Sequence, residues 1–329
     1  MNWSGKRVLV TGAGGFIGSH LVEALVERGA RVRGLVHYHN DSSWGWLDHS
    51  PVRGDVEVVQ GDIRAWDSVE SAMREQQIVY HLAALESVPY SYLTPQDFLA
   101  TNAVGSLNIF QLALRAGVER VVYQSTSEVY GTAQRVPMDE NHPTNPSHPY
   151  GASKLAADRM AIAMHHTYNL PVVVVRSFNT YGPRQQIRDV IPAAIMQALT
   201  RGEVRLSNHH STRDFMYISD AVAGLLLAGE VVDAVGQVIN LGTGQELSVW
   251  QVGEMVVEAL GEGQMSMIED TVHARSATAE VHRLCADNRK AAGLLGWEAK
   301  VPVWEGIPMV AEWFRQHRDL YPKGGQFCI

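Results

Sequence analysis

Cysteine is nearly absent from this chain: Cys285 and Cys328 are the two thiols in 329 residues. Two thiols so far apart supply neither a disulfide framework nor a zinc site, and a reducing compartment is expected. Basic excess is missing too. With 27 Lys and Arg against 35 Asp and Glu, the formal charge is -8 at pH 7. That balance argues against nucleic acid or an anionic membrane as the main partner, while leaving room for a local basic pocket around a phosphorylated ligand. No apolar run reaches the length of a membrane span, and no signal-peptide pattern opens the chain. A cytoplasmic protein is therefore expected. Internal repeats, low-complexity tracts and flexible linkers are also lacking. Among the 14 histidines, His165-His166 and His209-His210 are adjacent pairs without metal-ligand spacing, so no metal is expected.

What is present reads as an ordinary soluble enzyme, 46% hydrophobic and 19% charged, long enough for a sizeable core with a smaller lobe attached. Near the N-terminus, Lys6 to Thr11 reads as a short buried strand, Gly12 to Gly18 follows at once, and Ile17, Leu21 and Leu25 recur at helical spacing. Glycines at 12, 15 and 18 suit a tight turn, the close approach of a pyrophosphate to backbone N–H groups, and helix packing on strand. The helix N-terminus would bind the anion. A second strand, Arg31 to Val36, ends where an acidic residue would grip the adenosine ribose of NAD, but His37 stands there. Either a site tolerant of the 2′-phosphate of NADP or a strand end capped at the surface accounts for it. Asp62, after a third strand at Val56 to Gln60, is either an acceptor for the adenine amine or the start of a helix around Asp67 to Met73.

Strands and helices then alternate: Ile78 to Leu82, a helix around Asp97 to Ala116, Arg120 to Gln124, a helix from Tyr150 to about Tyr168, and Val172 to Arg176. That rhythm predicts an α/β fold, a doubly wound parallel (Rossmann) sheet covered on both faces. Ligands in such sheets lie beyond the strand carboxyl ends, where His81 to Ala84, Ser125 to Gly131 and Arg176 to Arg184 fall. After Pro183 the pattern loosens into a smaller C-terminal lobe with a helix at Ile191 to Thr200 and a loop at Ser207 to Thr212. The expected division is a dinucleotide-binding domain over 1–180 with a returning segment at 216–245, and a substrate lobe over 181–215 and 246–329. Within the lobe, Arg184, Arg213 and Arg275 are either a diphosphate clamp or surface charges.

Tyr150 and Lys154 lie four residues apart on one helix face, so the ammonium is expected to lower the phenol's pKa toward a range where tyrosine acts as a base. The same spacing also suits a packed aromatic beside a snorkelling stem. With the glycine turn nearby, a redox pair is the expectation.

The glycine motif Thr11 to Gly18, the Tyr150/Lys154 pair, Ser125-Thr126-Ser127 before Glu128, and Asn179-Thr180-Tyr181-Gly182-Pro183-Arg184 resemble the extended short-chain dehydrogenase/reductase family that acts on nucleotide sugars, essentially end to end. The likeness is nearest to 4,6-dehydratases of the LegB type, chiefly through His37 to Asp48 and Ser125 to Gln134. The resemblance implies cofactor contacts from Phe16, Ile17, Ile63, Leu82, Ala83 and Ala84, and substrate contacts from Ser87, Asn179, Val190, Ile191 and Arg205. It implies that Thr126 bonds the sugar 4-hydroxyl, that Tyr150 takes its proton, and that Lys154 holds the nicotinamide ribose. Glu128 would remove the C5 proton for loss of the C6 hydroxyl, with Ser127 where dTDP-glucose dehydratases carry an acidic aspartate. A dimer through a four-helix bundle is likewise implied; Leu107, Leu112 and Met164 are consistent with it, and burial inside the monomer explains the same residues. Ser177 and the stretch after Arg275 depart from the LegB pattern. The expectation is a 4,6-dehydratase of a UDP- or GDP-linked N-acetylhexosamine using NAD or NADP. A 4-epimerase, a UDP-uronate decarboxylase and a cofactor-sensing binding module remain as other readings.

Overall fold

Runs of Val, Ile and Leu with little polar alternation suit strands covered on both faces, and seven such runs build the central sheet. In the computed structural model, which describes residues 2–38, 40, 42–207, 209–261, 265–270 and 280–321, they are β1 (Arg7–Thr11), β2 (Arg31–Val36), β3 (Val56–Gln60), β4 (Ile78–His81), β5 (Arg120–Thr126), β6 (Val172–Ser177) and β7 (Val238–Leu241). Their spatial order is β7-β6-β5-β4-β1-β2-β3, and every pairing is parallel. The helices are α1 (Phe16–Glu27), α2 (Trp66–Met73), α3 (Ser106–Ala116), α4 (Pro149–Tyr168), α5 (Val190–Arg201), α6 (Ile218–Glu230), α7 (Val249–Leu260) and α8 (Val303–Gln316), besides shorter turns.

Alternate residues of each strand serve opposite faces. Val8 and Val10 of β1 share a core with Leu21 and Leu25 of α1 and Leu225 of α6. Leu9 points the other way, into a second core with Val69 of α2, Ile109 and Phe110 of α3, and Ala157 and Ala161 of α4. The first core runs on without a break into the C-terminal region, through Ile191 and Ile195 of α5, Val252 and Val256 of α7, and Phe314 of α8. The smaller region is thus packed onto one sheet face rather than around a core of its own. Thr212, expected in a loop, instead begins a two-residue strand, Thr212–Arg213, antiparallel to Leu247–Ser248. Among the described residues no helix is long and apolar enough to cross a membrane.

The helix expected over Asp97 to Ala116 is not regular. A turn at Pro95–Phe98 passes into a π-helical stretch at Leu99–Gly105 before α3. The wholly buried Asn102 explains why: its carboxamide accepts from the Leu85 amide at 2.8 Å and donates to the Leu85 carbonyl at 2.8 Å and to Ser153 Oγ at 2.9 Å. Clamping one residue to two other elements draws an extra residue into the turn, a feature that 3.6-residue periodicity cannot reveal. Leu112 and Met164, which in sequence fit a dimer interface or a core, are buried in the second core, and Leu107 packs against it. Along the Pro95 to Ala116 segment and α4 the exposed large apolar side chains are Leu99, Val104, Met160 and Tyr168.

A buried ion pair joins α4 to the sheet. Arg176 Nε lies 2.8 Å from Asp158 Oδ2 and Nη2 lies 3.1 Å from Oδ1, and both residues are fully buried. Ser125 Oγ donates to the same carboxylate at 3.1 Å, and Arg176 Nη1 donates to the Tyr130 hydroxyl at 2.9 Å. Removing one partner strands the other charge in the interior. Asp158→Ala is therefore expected to cost about 3–5 kcal/mol in urea unfolding, and a loss below about 1 kcal/mol would contradict that role.

Candidate active site

β2 and β3 extend the sheet on one side of β1, while β4 to β7 extend it on the other. At such a reversal the carboxyl ends diverge and a crevice opens. A cavity of about 930 Å³ lies there, lined by the turn after β1, the ends of β2, β4, β5 and β6, the start of α4, and the front of α5.

Its first end is made of backbone. Gly12 has φ 71°, and a Cβ there would stand 2.9 Å from the Ala83 amide nitrogen. Gly15 caps α1, and a Cβ on it would meet the Gly12 carbonyl oxygen at 3.2 Å and nothing else within 4 Å. The Gly15 N–H is itself bonded to the Gly12 carbonyl at 3.0 Å, and the open side of Gly15 leaves room for a pyrophosphate at the helix N-terminus. A Cβ on Gly18 would strike the Gly12 carbonyl oxygen, so α1 sits directly on the turn. Phe16, Ile17, Ile63, Leu82, Ala83 and Ala84 line the same end. So do Trp44 and Gly45, from a loop that the Trp46 amide pins to the Gly14 carbonyl at 2.9 Å.

The adenosine side carries mixed charge. His37, with its side chain 64% exposed, has Nε2 3.6 Å from Asp62 Oδ2. Asp62 is gripped by Arg64, whose Nη2 approaches to 2.6 Å and which, above all other causes, holds the carboxyl below its ordinary range. Asp62 does not start α2, whose N-cap is Ala65.

Deeper in, Thr126 ends β5, and Ser127–Val129 form a short 3-10 turn that presents Glu128. Tyr150 and Lys154 project from the first turns of α4, and all five residues from Thr126 to Lys154 named as catalytic line the cavity. Their electrostatics differ from the expectation. Burial pushes the Tyr150 phenol well up, the Glu86 charge adds to this, and the Thr126 hydroxyl opposes it. The Lys154 Nζ donates to the Gln124 carbonyl at 2.6 Å and lies 4.5 Å from the Tyr123 ring centroid. Burial lowers Lys154 itself to about 7, with Asp158 opposing. Burial thus disfavours the charged form of both groups.

His148 was not anticipated. It caps α4, with Nδ1 accepting the Gly151 amide at 3.0 Å, and its Nε2 lies 2.9 Å from Glu128 Oε2. A residue just before Pro-Tyr at a helix start is the sequence signal for a cap, yet histidine is outside the usual capping set. Gln124 was also missed. Its Oε1, with Ser177 Oγ and Asn179 Oδ1, is a buried acceptor or hydroxyl with no hydrogen-bond partner among the described residues, and all three residues line the cavity. A polar ligand with several donors, such as a dinucleotide carboxamide and ribose, fits atoms of this kind.

Of the proposed substrate residues, Ser87, Asn179, Val190, Ile191 and Arg213 line the cavity. Ser87 also caps the helix Val88–Leu93, and Arg213 Nη2 lies 3.2 Å from the buried Glu280 Oε1. Two arginines belong elsewhere. Arg184 donates to Ser19 Oγ at 3.2 Å and to Glu23 Oε1 at 2.8 Å, tying its loop to α1 outside the cavity lining. Arg205 pairs with Glu203 at 2.7 Å on the surface, where a two-residue spacing along one strand face lets them meet. Arg275 lies outside the described residues. An unanticipated pair, Arg188 and Glu86, meets at 2.8 Å across the cavity mouth.

The family model described as GDP-mannose 4,6 dehydratase matches residues 9–310. The chain belongs to that family. UDP-glucuronic acid decarboxylase 1 of Xenopus tropicalis is 33% identical over 326 residues, covering 95% of this chain and 73% of that protein. The epimerase Mth375 of Methanothermobacter thermautotrophicus superposes with a TM-score of 0.89 at 31% identity, over 97% of this chain and 94% of the other. A DesIV double mutant, a dTDP-glucose 4,6-dehydratase from Streptomyces venezuelae with NAD and DAU bound, gives 0.83 at 30% identity, over 96% and 98%. Within the GDP-mannose 4,6 dehydratase family, then, a decarboxylase, an epimerase and a dehydratase stand at nearly equal distance from this chain. Overall likeness does not choose among them; the side chains of the cavity must.

Because Lys154 is lowered to about 7 when folded and ordinary near 10.5 when unfolded, the unfolded chain holds the extra proton between these values. Stability contributed here therefore rises with pH through that window. From pH 7 to pH 9 the parent protein should gain about 2 kcal/mol relative to Lys154→Met in urea unfolding; parallel pH profiles for the two proteins would refute the buried, neutralised amine.

Proposed function

We propose that this protein is an NAD-dependent nucleotide-sugar 4,6-dehydratase, forming a 4-keto-6-deoxy sugar. The observation that carries the reading is a carboxylate, Glu128, lining the same cavity as Thr126, Tyr150 and Lys154. The glycine turn and the unpartnered polar atoms fit NAD, and the likeness of His37 to Asp48 and Ser125 to Gln134 to LegB-type enzymes supports a UDP- or GDP-linked N-acetylhexosamine as substrate. The glycine turn, with Phe16, Ile17, Ile63 and Leu82 to Ala84, would hold NAD, which would supply a hydride acceptor and donor and a positive charge to the site.

The chain's own groups do the rest. Thr126 orients the sugar 4-hydroxyl, and Tyr150 takes its proton as that charge, with Lys154, offsets the burial that keeps the phenol neutral. The C4 ketone acidifies the C5 proton, which Glu128 removes. The electrons of that C–H bond form the C5–C6 double bond, and the C6 hydroxyl leaves as water. Val190, Ile191 and Arg213, in the region we assign to the nucleotide sugar over 181–215 and 246–329, hold the rest of the substrate together with Asn179 from the edge of the dinucleotide-binding region. Arg213 serves the diphosphate by exchanging Glu280 for phosphate oxygens.

Ser127 favours a second reading. It is nearly fully buried and neutral, a poor donor for a departing hydroxyl. A 4-epimerase needs no such acid, and decarboxylation of a UDP-uronate is a variant of the same C4 oxidation. Incubation with UDP- and GDP-linked N-acetylhexosamines separates these outcomes. Loss of one water supports dehydration; an isomer of equal mass supports epimerisation and overturns our reading.

Glu128→Gln should leave C4 oxidation measurable as transient reduced-cofactor absorbance while lowering water loss at least about 100-fold. Tyr150→Phe should stop both. Parental turnover by Glu128→Gln would sink the assignment of the base.

We also propose a homodimer through a four-helix bundle formed by the Pro95 to Ala116 segment and α4 of each copy, now using Leu99, Val104, Met160 and Tyr168. Leu99→Asp with Val104→Asp should shift sedimentation to the monomer, and an unchanged sedimentation coefficient would rule this face out.

A further inference from the structure

We infer that His148 is a positioning residue that fixes the Glu128 carboxylate for elimination; this deepens the dehydratase reading and rests on it. The side chain of His148 is 1% exposed, so its hydrogen bonds must be met within the protein. Nδ1 accepts the Gly151 N–H at 3.0 Å as the N-cap of α4. A nitrogen that accepts carries no proton, which places the ring proton on Nε2. Nε2–H therefore donates to Glu128 Oε2 at 2.9 Å.

The fold makes room for this arrangement. A Cβ on Gly151 would lie 2.8 Å from the Glu128 carbonyl oxygen and 3.3 Å from His148 Cε1, so a side chain at 151 would crowd both partners. The imidazole also lies parallel to the Tyr150 ring, with 5.9 Å between centroids and 3° between planes. One ring thus touches the helix cap, the elimination residue and the oxidation residue. Capping alone asks only for a short oxygen, as on Ser or Asn. The longer imidazole adds the reach to Glu128.

The chemical consequence is directional. Held in one orientation by the Nε2–H bond, the carboxylate takes the C5 proton. The C5–H bond breaks, the C5–C6 double bond forms, and the C6–O bond breaks. The departing hydroxyl takes the proton back from Glu128 and leaves as water. Glu128 is then a carboxylate again, and solvent supplies the proton that C5 regains when C6 is reduced. A single oriented carboxylate serves both transfers, which answers the absence of an acid at Ser127.

His148→Ser tests this, because serine keeps a capping acceptor and loses the reach; His148→Asn is the second cap-preserving variant. With the nucleotide sugar that the parent dehydrates, the expected result is C4 oxidation and KM within about threefold of the parent, with water loss and C5 exchange from D2O both slowed about 100-fold. Loss of C4 oxidation in step with water loss in both variants would mean that His148 holds up the helix, and would overturn the inference. Water loss at the parental rate in either variant would overturn it alone, leaving the dehydratase reading intact. A parent that oxidises C4 without ever releasing water would overturn that reading, and this inference with it.

Discussion

The buried pair of Arg176 and Asp158 sets the geometry on which the site depends. Charges in an interior cost desolvation and are tolerated only when every polar atom finds a partner. Here the carboxylate receives two guanidinium nitrogens and the Ser125 hydroxyl, and the guanidinium also reaches the Tyr130 hydroxyl, whose own donor bond goes to Asn240 at 2.7 Å. Each partner sits one step from a reactive position. Asp158 is one helical turn beyond Lys154, Ser125 precedes Thr126, and Tyr130 closes the turn that presents Glu128. The pair registers helix, strand end and turn against one another with little freedom to slide.

Burial then decides the chemistry of the groups so registered. A tyrosine sheltered from water resists ionising, and a lysine sheltered from water gives up its proton more readily, so neither is in its reactive charge state by default. A positive charge brought beside the phenol would favour its ionised form. The Glu86 charge, which after burial does most to raise the Tyr150 phenol, is paired with Arg188.

The sheet and its order of elements were legible because parallel strands buried on both faces announce themselves as apolar runs between glycines and helices. β2, β3 and β7 begin and end at the residues that patterning indicated. The cofactor turn was legible for the same local reason. What periodicity could not show was set by contacts between distant parts of the chain. The π-helical stretch arises from one buried asparagine clamped to Leu85 and Ser153. Leu112 and Met164 fit an interface or a core equally in one dimension and are core residues in three. Arg184 reads as a candidate phosphate ligand and Arg205 as a candidate substrate contact until their carboxylate partners, Glu23 and Glu203, are placed beside them. His148 was hidden because a cap and a carboxylate partner are the same residue here, and only the second explains the imidazole.

Tyr150 and Lys154 are common to every reaction that begins by oxidising C4; Glu128 is the group that would direct the stored hydride to a new carbon. The most direct measurement is therefore the fate of a deuterium placed at C4 of the nucleotide hexose. The account predicts that it is found at C6 of the product, within the same molecule. Recovery of the label at C4 of an isomer would contradict it.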